Sequence, residues 1–347
     1  MGFITAISLI KSFSVNTLTI GLLKILIREA SVLGYQSDTI WKELQSFLPV
    51  SNRLSKENMP EEYFLPLLGM QMHIDHYKTA NPKATLILFH GVGGNGRLLS
   101  FIAVRLAANG YDVICPDLPL YGHTKYDGKI TYDTWVKSGC AIVSHYQEQG
   151  AKDIVLFGLS AGGMLAYQVA SDCNNIKGII VTCILDQRNP IVTKETAINP
   201  LMAVAGKPLL AIIHKPFGKI KLPMRMVTKM KTLTNNKSLV KLLIKDKRAS
   251  GISVPITFLH TLLNPNIKIE PEKFTMCPFL LVHPSEDRWT DISLSRLFYD
   301  KLSCDKELYM LKGAGHFPVE EKGLTLLEEY CLKFLEKIMA PSKSETE

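Results

Sequence analysis

The stretch "VLFGLSAGGMLAYQVA", residues 155–170, decides how the rest of the chain is read. Val155, Leu156 and Phe157 have the character of a buried strand end. Leu165, Ala166, Val169 and Ala170 repeat at the three-to-four-residue spacing of a helix face. Between them, Gly158-Leu159-Ser160-Ala161-Gly162 fits G-x-S-x-G, a strand-to-helix bend that pushes a serine hydroxyl clear of the backbone. The bend needs small neighbours, because larger side chains would collide with the strand and helix. The competing reading is a glycine-rich turn with a capping serine, so the serine needs partners elsewhere.

A serine is a weak nucleophile without a base. Of nine histidines, His316 in "GAGHFPVEE" follows the last predicted strand in a glycine-rich loop, where a mobile base belongs. The base in turn needs an orienting acid. Asp287 closes "FLLVHPSED" at the C-terminal end of the penultimate strand, and Asp186, at another strand end, is the reserve. Glu286 should face away from Asp287, since neighbouring strand residues alternate. Asp291 suits a helix cap. His283 reads as structural. His73 and His76 could ligate a metal but lack a third partner, and His123, His145, His214 and His260 have no supporting context.

The loop "LFHGVGGNGR" (88–97) offers backbone donors for a developing oxyanion. Val92 and Ala161 are the expected amides. Two rivals share this loop. A phosphate loop would need a G-K-[ST] ending, which is missing. Gly91-x-Gly93-x-x-Gly96 matches the dinucleotide pattern formally, and Asp117 stands 21 residues past Gly96, where that pattern wants an acid.

Working outward, apolar runs at 70–78, 85–91, 111–117, 153–158, 176–186, 278–287 and 306–316 alternate with helical patterns at 97–109, 133–149, 161–172, 291–303 and 322–338. Most central runs are continuous rather than alternating, as in strands covered on both faces. The alternation predicts an α/β fold with a mostly parallel central sheet flanked by helices. Residues 190–275 break the rhythm and read as an inserted helical cap, with "MRMVTKMKTL" (224–233) and "LVKLLIKDK" (239–247) as helices. The expected organisation is an N-terminal helical extension at 1–65, a core of 66–189 and 276–340, and the cap at 190–275.

Of the chain's 347 residues, 46% are hydrophobic, enough for one large core and against global disorder. Its net charge is +8. The cap alone holds 15 Lys and Arg against four acidic residues, a net of +11, so the remainder carries −3. The cap lysines lie between apolar residues, which argues against nucleic acid as a partner. Seven scattered cysteines without a CxxC pair suggest neither a disulfide framework nor a zinc site, and fit a reducing, cytoplasmic setting. No cofactor or metal is expected. The apolar N-terminus is interrupted by Lys11, Asn16 and Lys24, so it falls short of a membrane span. It suits a helix packed on the body, or one resting on a membrane surface. Ala6 stands where a myristoylation motif wants Ser or Thr.

Together "HGVGG", "DLPLYGHT", "GLSAGG", "PSED" and "GAGH" resemble the α/β-hydrolases, particularly capped serine hydrolases like the monoacylglycerol lipases and the serine aminopeptidase group. The resemblance covers about residues 70–338, and its Ser…Asp…His order is that of the family. It implies Ser160 as nucleophile, Asp287 as acid, His316 as base, and Val92 and Ala161 as oxyanion-hole amides. The implied activity is hydrolysis of an ester with an apolar acyl chain through an acyl-serine. A thioesterase, an aminopeptidase-like hydrolase and a non-catalytic ligand-binding homologue are the alternatives. The chain departs from the pattern in three places: it lacks the lipase "HGxGE" after the strand, carries 65 extra N-terminal residues, and has an unusually basic cap. A membrane surface or anionic lipid is an expected partner of that cap and of the N-terminal helix.

Overall fold

The continuous apolar runs become the central strands of the fold, because a strand covered on both faces has no polar side to present. The structure, a computed structural model, describes residues 34–340 except the side chains at 200 and 203. The membrane and myristoylation readings of the N-terminus concern residues 1–33, which lie outside the described residues.

The first six strands are β1 (Glu61–Leu67), β2 (Met70–Tyr77), β3 (Thr85–Phe89), β4 (Asp112–Pro116), β5 (Ile154–Gly158) and β6 (Ile176–Val181). A two-stranded ribbon, β7 (Lys221–Pro223) and β8 (Ser253–Pro255), stands apart from the main sheet. The sheet is completed by β9 (Phe279–Pro284) and β10 (Lys306–Leu311), in the order β1-β2-β4-β3-β5-β6-β9-β10. β1 and β2 run antiparallel to their neighbours, and the other six strands are parallel. In register, Phe89 of β3 lies opposite Gly158 of β5, so the glycine loop and the serine bend leave the sheet side by side.

Helices complete the layers. They are α1 (Thr39–Leu44), α2 (Ser100–Ala108), α3 (Tyr132–Glu148), α4 (Ala161–Asp172), α5 (Pro190–Thr196), α6 (Pro200–Ile213), α7 (Lys237–Lys245), α8 (Ile256–Leu263), α9 (Ile292–Tyr299) and α10 (Glu321–Met339). α3 shows how the sequence fixes one of them. Thr131 and Thr134 form a reciprocal capping box that satisfies two otherwise orphaned amides. Trp135, Gly139, Ile142 and Tyr146 then follow at helical spacing and are all buried. That face packs on α4, and α2 packs on α10.

Between β6 and β9 the chain builds α5, α6, β7, α7, β8 and α8 as one insertion. Polar ties fasten it to the body: Ser250 Oγ donates to the Gly93 carbonyl (2.7 Å), Gly122 N–H to Arg248 O (2.9 Å) and Phe317 N–H to Leu233 O (2.8 Å). The expected helix over 224–233 is not formed. Two single 3₁₀ turns, at 224–226 and 230–232, stand there instead. The ladder stops after one i→i−4 bond, from Thr228 N–H to Met224 O (3.0 Å), because Thr228 bridges to Ala197 in extended pairing and the Val227 carbonyl is taken by Ile198 N–H (3.2 Å).

A second correction concerns the last residues of the N-terminal helical extension expected at 1–65. Its end forms β1, an edge strand that tolerates Pro66 because one side of an edge needs no ladder donor. Upstream, Tyr35, Trp41 and Leu44 are buried in the body rather than extending from it. Tyr35 Oη donates to the Asp117 carboxylate at 3.0 Å, and Trp41 Nε1 donates to the Tyr35 carbonyl.

These residues belong to a buried charge network. Arg97 binds Asp75 through two hydrogen bonds (2.5 and 2.9 Å) and Glu62 at 2.8 Å, with its guanidinium against the rings of Tyr35 and Trp41. His73 sits between Asp117 (3.0 Å from Nδ1) and Glu62 (3.2 Å from Nε2). Burial opposes a charged ring, but these carboxylates outweigh it and raise His73 to about 10. Asp117, despite complete burial, is held at about 2 by His73 and the amides of His123 and Gly96. Removing one partner from such a set leaves uncompensated charge inside the protein. Arg97→Leu is therefore expected to cost about 3–5 kcal/mol, read as the shift in the urea midpoint; a loss below about 1 kcal/mol would contradict this account of the network.

Candidate active site

Ser160 stands at the turn from β5 into α4 with φ 58° and ψ −125°, a region that side-chain-bearing residues rarely occupy. The turn is held by close packing on two sides. A Cβ on Gly162 would lie 2.2 Å from the Phe89 carbonyl oxygen, and one on Gly91 would lie 2.7 Å from Ser160 Cβ. Only glycine allows α4 and the 90–94 loop to approach the serine this closely. Thr182, just past β6, accepts the Ser160 N–H through its hydroxyl at 3.2 Å.

The structure brings three of the expected residues together. Ser160 Oγ is 2.8 Å from His316 Nε2, and His316 Nδ1 is 2.7 Å from Asp287 Oδ2. With Nδ1 donating to the carboxylate, Nε2 is the nitrogen that accepts the serine proton. All three side chains are nearly inaccessible to solvent. Burial disfavours the Asp287 carboxylate, yet the His316 ring and the hydrogen bonds of Thr290 hold it down at about 2.

Asp287 is more firmly seated than its place in the sequence suggests. Oδ1 accepts the N–H groups of Trp289 and Thr290, both at 2.8 Å, and Oδ2 accepts the Thr290 hydroxyl at 2.8 Å. The Trp289 ring packs on His316, with centroids 4.9 Å apart. Neither Trp289 nor Thr290 was singled out in the sequence. The available signal was an Asp with a Thr three residues on, the spacing of a side-chain turn. The loop bearing His316 is clasped by Glu320, whose Oε2 accepts the amides of Gly315 (3.2 Å) and Val319 (3.1 Å).

Val92 and Ala161 flank the serine at the wall of the same cavity. Among the described residues neither of their N–H groups meets an acceptor, so both remain available to an oxyanion. The Val92 loop is braced by His90, whose Nδ1–H donates to Gly91 O (2.8 Å) while Nε2 accepts from Leu118 N–H (3.0 Å). Burial pushes His90 down to about 4, so the ring is neutral and this tautomer is the one that satisfies both partners.

The other candidates lie elsewhere. Asp186 pairs with Arg188, which also binds Glu270. Glu286 is exposed beside the inward Asp287, and Asp291 caps α9 through the Ser293 amide. His283 is buried with no hydrogen-bond partner among the described residues. Glu62, His73 and Asp75 do converge like metal ligands, but the Arg97 guanidinium already takes their carboxylates. The dinucleotide reading also loses its acid. Asp117 is fully buried and committed to Gly96 N–H, Tyr35, His73 and His123 N–H, out of reach of a ribose.

The cavity beside Ser160 encloses about 1240 Å³ of space, its open mouth included. Met164 and Leu185 line it from the body, and Leu210, Ile213, Leu259 and Leu263 from the insertion. Among the described residues none of its lining groups is acidic, and Lys207 alone carries a charge.

A mostly parallel eight-stranded sheet with flanking helices, a serine at a strand-to-helix bend and an insertion over the C-terminal strand ends define an α/β-hydrolase. More particularly, the chain belongs to the family described as serine aminopeptidase, S33, whose model matches residues 80–323. Among solved structures it is similar to a soluble variant of monoglyceride lipase from Saccharomyces cerevisiae. That match has a TM-score of 0.67 at 17% identity, over 85% of this chain and 99% of the other. A monoacylglycerol lipase from Paleococcus ferrophilus matches with TM-score 0.58 at 21% identity, over 77% and 98%. Est1E from Butyrivibrio proteoclasticus matches with TM-score 0.56 at 16% identity, over 81% and 99%. At these identities the likeness is one of fold. No curated protein sequence matches the chain. Among the described residues no helix is long and apolar enough to cross a membrane.

Proposed function

We propose that this protein is a serine hydrolase that cleaves carboxylic esters with an apolar acyl chain. The observation that carries the reading is the continuous hydrogen-bonded chain from Asp287 through His316 to Ser160, opening into an apolar cavity. His316 Nε2 takes the Ser160 proton as Oγ attacks the ester carbonyl. The Val92 and Ala161 amides receive the oxyanion, and His316 then protonates the leaving alcohol. Water, activated by the same ring, hydrolyses the acyl-serine.

The family's description names a peptidase, and an aminopeptidase-like reading meets the same site differently. A substrate ammonium needs a carboxylate to hold it. Among the described residues lining this cavity there is none, and Lys207 would repel it.

The insertion also supports contact with an anionic lipid surface. Leu201, Val204 and Ile212 on α6 are 69%, 78% and 74% exposed, and Phe217 and Ile220 follow them. Exposed Lys215, Lys219, Lys221 and Arg225 lie alongside in sequence. Apolar groups beside cations suit an interface where acyl chains meet negative headgroups.

One assay series tests both parts. Acyl p-nitrophenyl esters should turn over at least about 100-fold faster than aminoacyl p-nitroanilides, within the range over which an apolar pocket discriminates. An ester carried in anionic vesicles should be hydrolysed more slowly as salt rises, and Val204→Glu should slow that reaction selectively. Faster turnover of the amides would overturn the ester assignment. Salt-independent vesicle turnover would overturn the surface assignment.

A further inference from the structure

Resting on the ester-hydrolase reading, we propose that Lys207 is an anion-recognising residue, so that the substrates carry a carboxylate or phosphate as well as the scissile ester.

Away from Ser160 and Thr290 at the catalytic end, and apart from Tyr132 and Thr228, the polar groups of the cavity wall gather in one corner. There Gln187, Thr193, Thr196 and Lys207 come together on its wall. The first three are bonded largely to one another. Thr193 Oγ1 donates to the Gln187 carbonyl (2.8 Å), Gln187 Nε2 donates to Thr196 Oγ1 (3.2 Å), and Thr196 Oγ1 donates to Val192 O (2.8 Å). Lys207 Nζ also donates to the Gln187 carbonyl, at 2.8 Å. An ammonium has three donors and no acceptor. That single bond leaves two N–H groups uncommitted to protein among the described residues.

Lys207 also has no counter-ion there. Asp186, the carboxylate that acts on it electrostatically, is taken by Arg188 at 2.8 Å, and Arg188 is taken again by Glu270. The remaining cap cations point to a different use, because Lys215, Lys219 and Lys221 are exposed and Lys207 is half-buried in the cavity wall. Its helix explains the placement. Gly206, Lys207, Leu210 and Ile213 share the face of α6 that lines the cavity, so the lysine is presented to the contents of the cavity by the same stripe that supplies its apolar wall. Burial lowers the pKa of the ammonium against the opposing pull of Asp186, the direction expected of a cation short of a partner.

A ligand anion would supply what the protein does not. A neutral hydroxyl would leave the charge uncompensated, and an amine would be repelled. The chemistry therefore selects an amphiphile with an apolar chain, an ester that reaches Ser160 and an oxyanion that reaches Lys207. The oxyanion can sit at the far end of the acyl chain or on the leaving group.

Two substrate pairs distinguish those sources. The first compares p-nitrophenyl hemi-esters of dicarboxylic acids, from succinate to dodecanedioate, with p-nitrophenyl esters of the matching monocarboxylic acids. The second compares a 1-acylglycerol 3-phosphate with the 1-acylglycerol of the same chain. The quantity read is the ratio of kcat/KM for the anionic member over the neutral one. Lys207→Gln keeps a donor for the Gln187 carbonyl and removes the charge, and Lys207→Arg keeps the charge. In at least one pair the ratio should fall by about 10- to 100-fold in Lys207→Gln, as for a lost hydrogen bond to a charged group. It should be largely retained in Lys207→Arg. A ratio that is unchanged by Lys207→Gln in both pairs would show that the lysine only ties down the Gln187 carbonyl. If instead the wild-type protein hydrolyses none of these substrates, or Ser160→Ala hydrolyses them equally well, it is the ester reading that falls.

Discussion

Replacing Ser160 by alanine is expected to lower kcat for ester hydrolysis by about 10⁶-fold, the scale seen when a serine nucleophile is removed. The geometry explains why no neighbour should take over. The hydroxyl is the group that His316 Nε2 faces at 2.8 Å, and the glycine-rich loop and the Ala161 amide converge around the same point. Labelling by a fluorophosphonate should vanish with it. Residual turnover from the oxyanion amides and the apolar cavity should persist above the buffer rate. Full hydrolysis in the alanine variant would remove the serine from the mechanism. Retained labelling would place the reactive hydroxyl elsewhere.

Asp287→Asn should lower kcat by about 10⁴-fold, although it changes one atom. The two backbone amides that donate to Oδ1, from Trp289 and Thr290, accept no substitute donor. They force the asparagine to place its carbonyl oxygen on that side and its NH₂ on the side of His316. That NH₂ donates to Nδ1, so the imidazole proton moves to Nε2, which can no longer accept from Ser160. The seat that makes Asp287 a firm anchor thus directs the asparagine into the wrong orientation. The thermal midpoint should move far less than the rate. A drop in kcat below about tenfold would mean that the tautomer is set by something other than Asp287.

The residues of this site were legible because each sits at a strand end, and strand ends can be found. β3, β5, β6 and β9 are covered on both faces, so their sequences are nearly continuous apolar runs, and the polar residues that follow them stand out. β1 did not stand out, because an edge strand carries Glu61, Glu62 and Pro66 without penalty. The 224–233 stretch misled in the opposite direction. Its alternation of methionine and basic residues imitates an amphipathic helix, whereas the backbone there makes two tight turns against α5 and β8. The charge network was unreadable for a different reason. Glu62, Asp75, Arg97 and Asp117 come from four separate elements; Glu62, Asp75 and Arg97 each resemble an ordinary surface charge, and Asp117 stood out only as the acid of a dinucleotide pattern. The cavity is similarly dispersed: its wall is drawn from β-strand ends, α4, α6 and α8, so its apolar character exists only after folding.

The docking of Tyr35 and Trp41 bears on the order in which the molecule can be assembled. These side chains leave the ribosome early, but their partners do not yet exist. Tyr35 waits for Asp117, which lies 82 residues downstream, and at a synthesis rate of about 5–20 residues per second that interval is roughly 4–16 s. α1 waits longer still, since it packs on α7, the helix at Lys237–Lys245. The first described segment to be made is therefore among the last that can settle. Until residues 97–123 have been made, the rings of Tyr35 and Trp41 lack the Arg97, Asp117 and His123 side chains that hold them, so this corner of the body closes only after the segment that begins it.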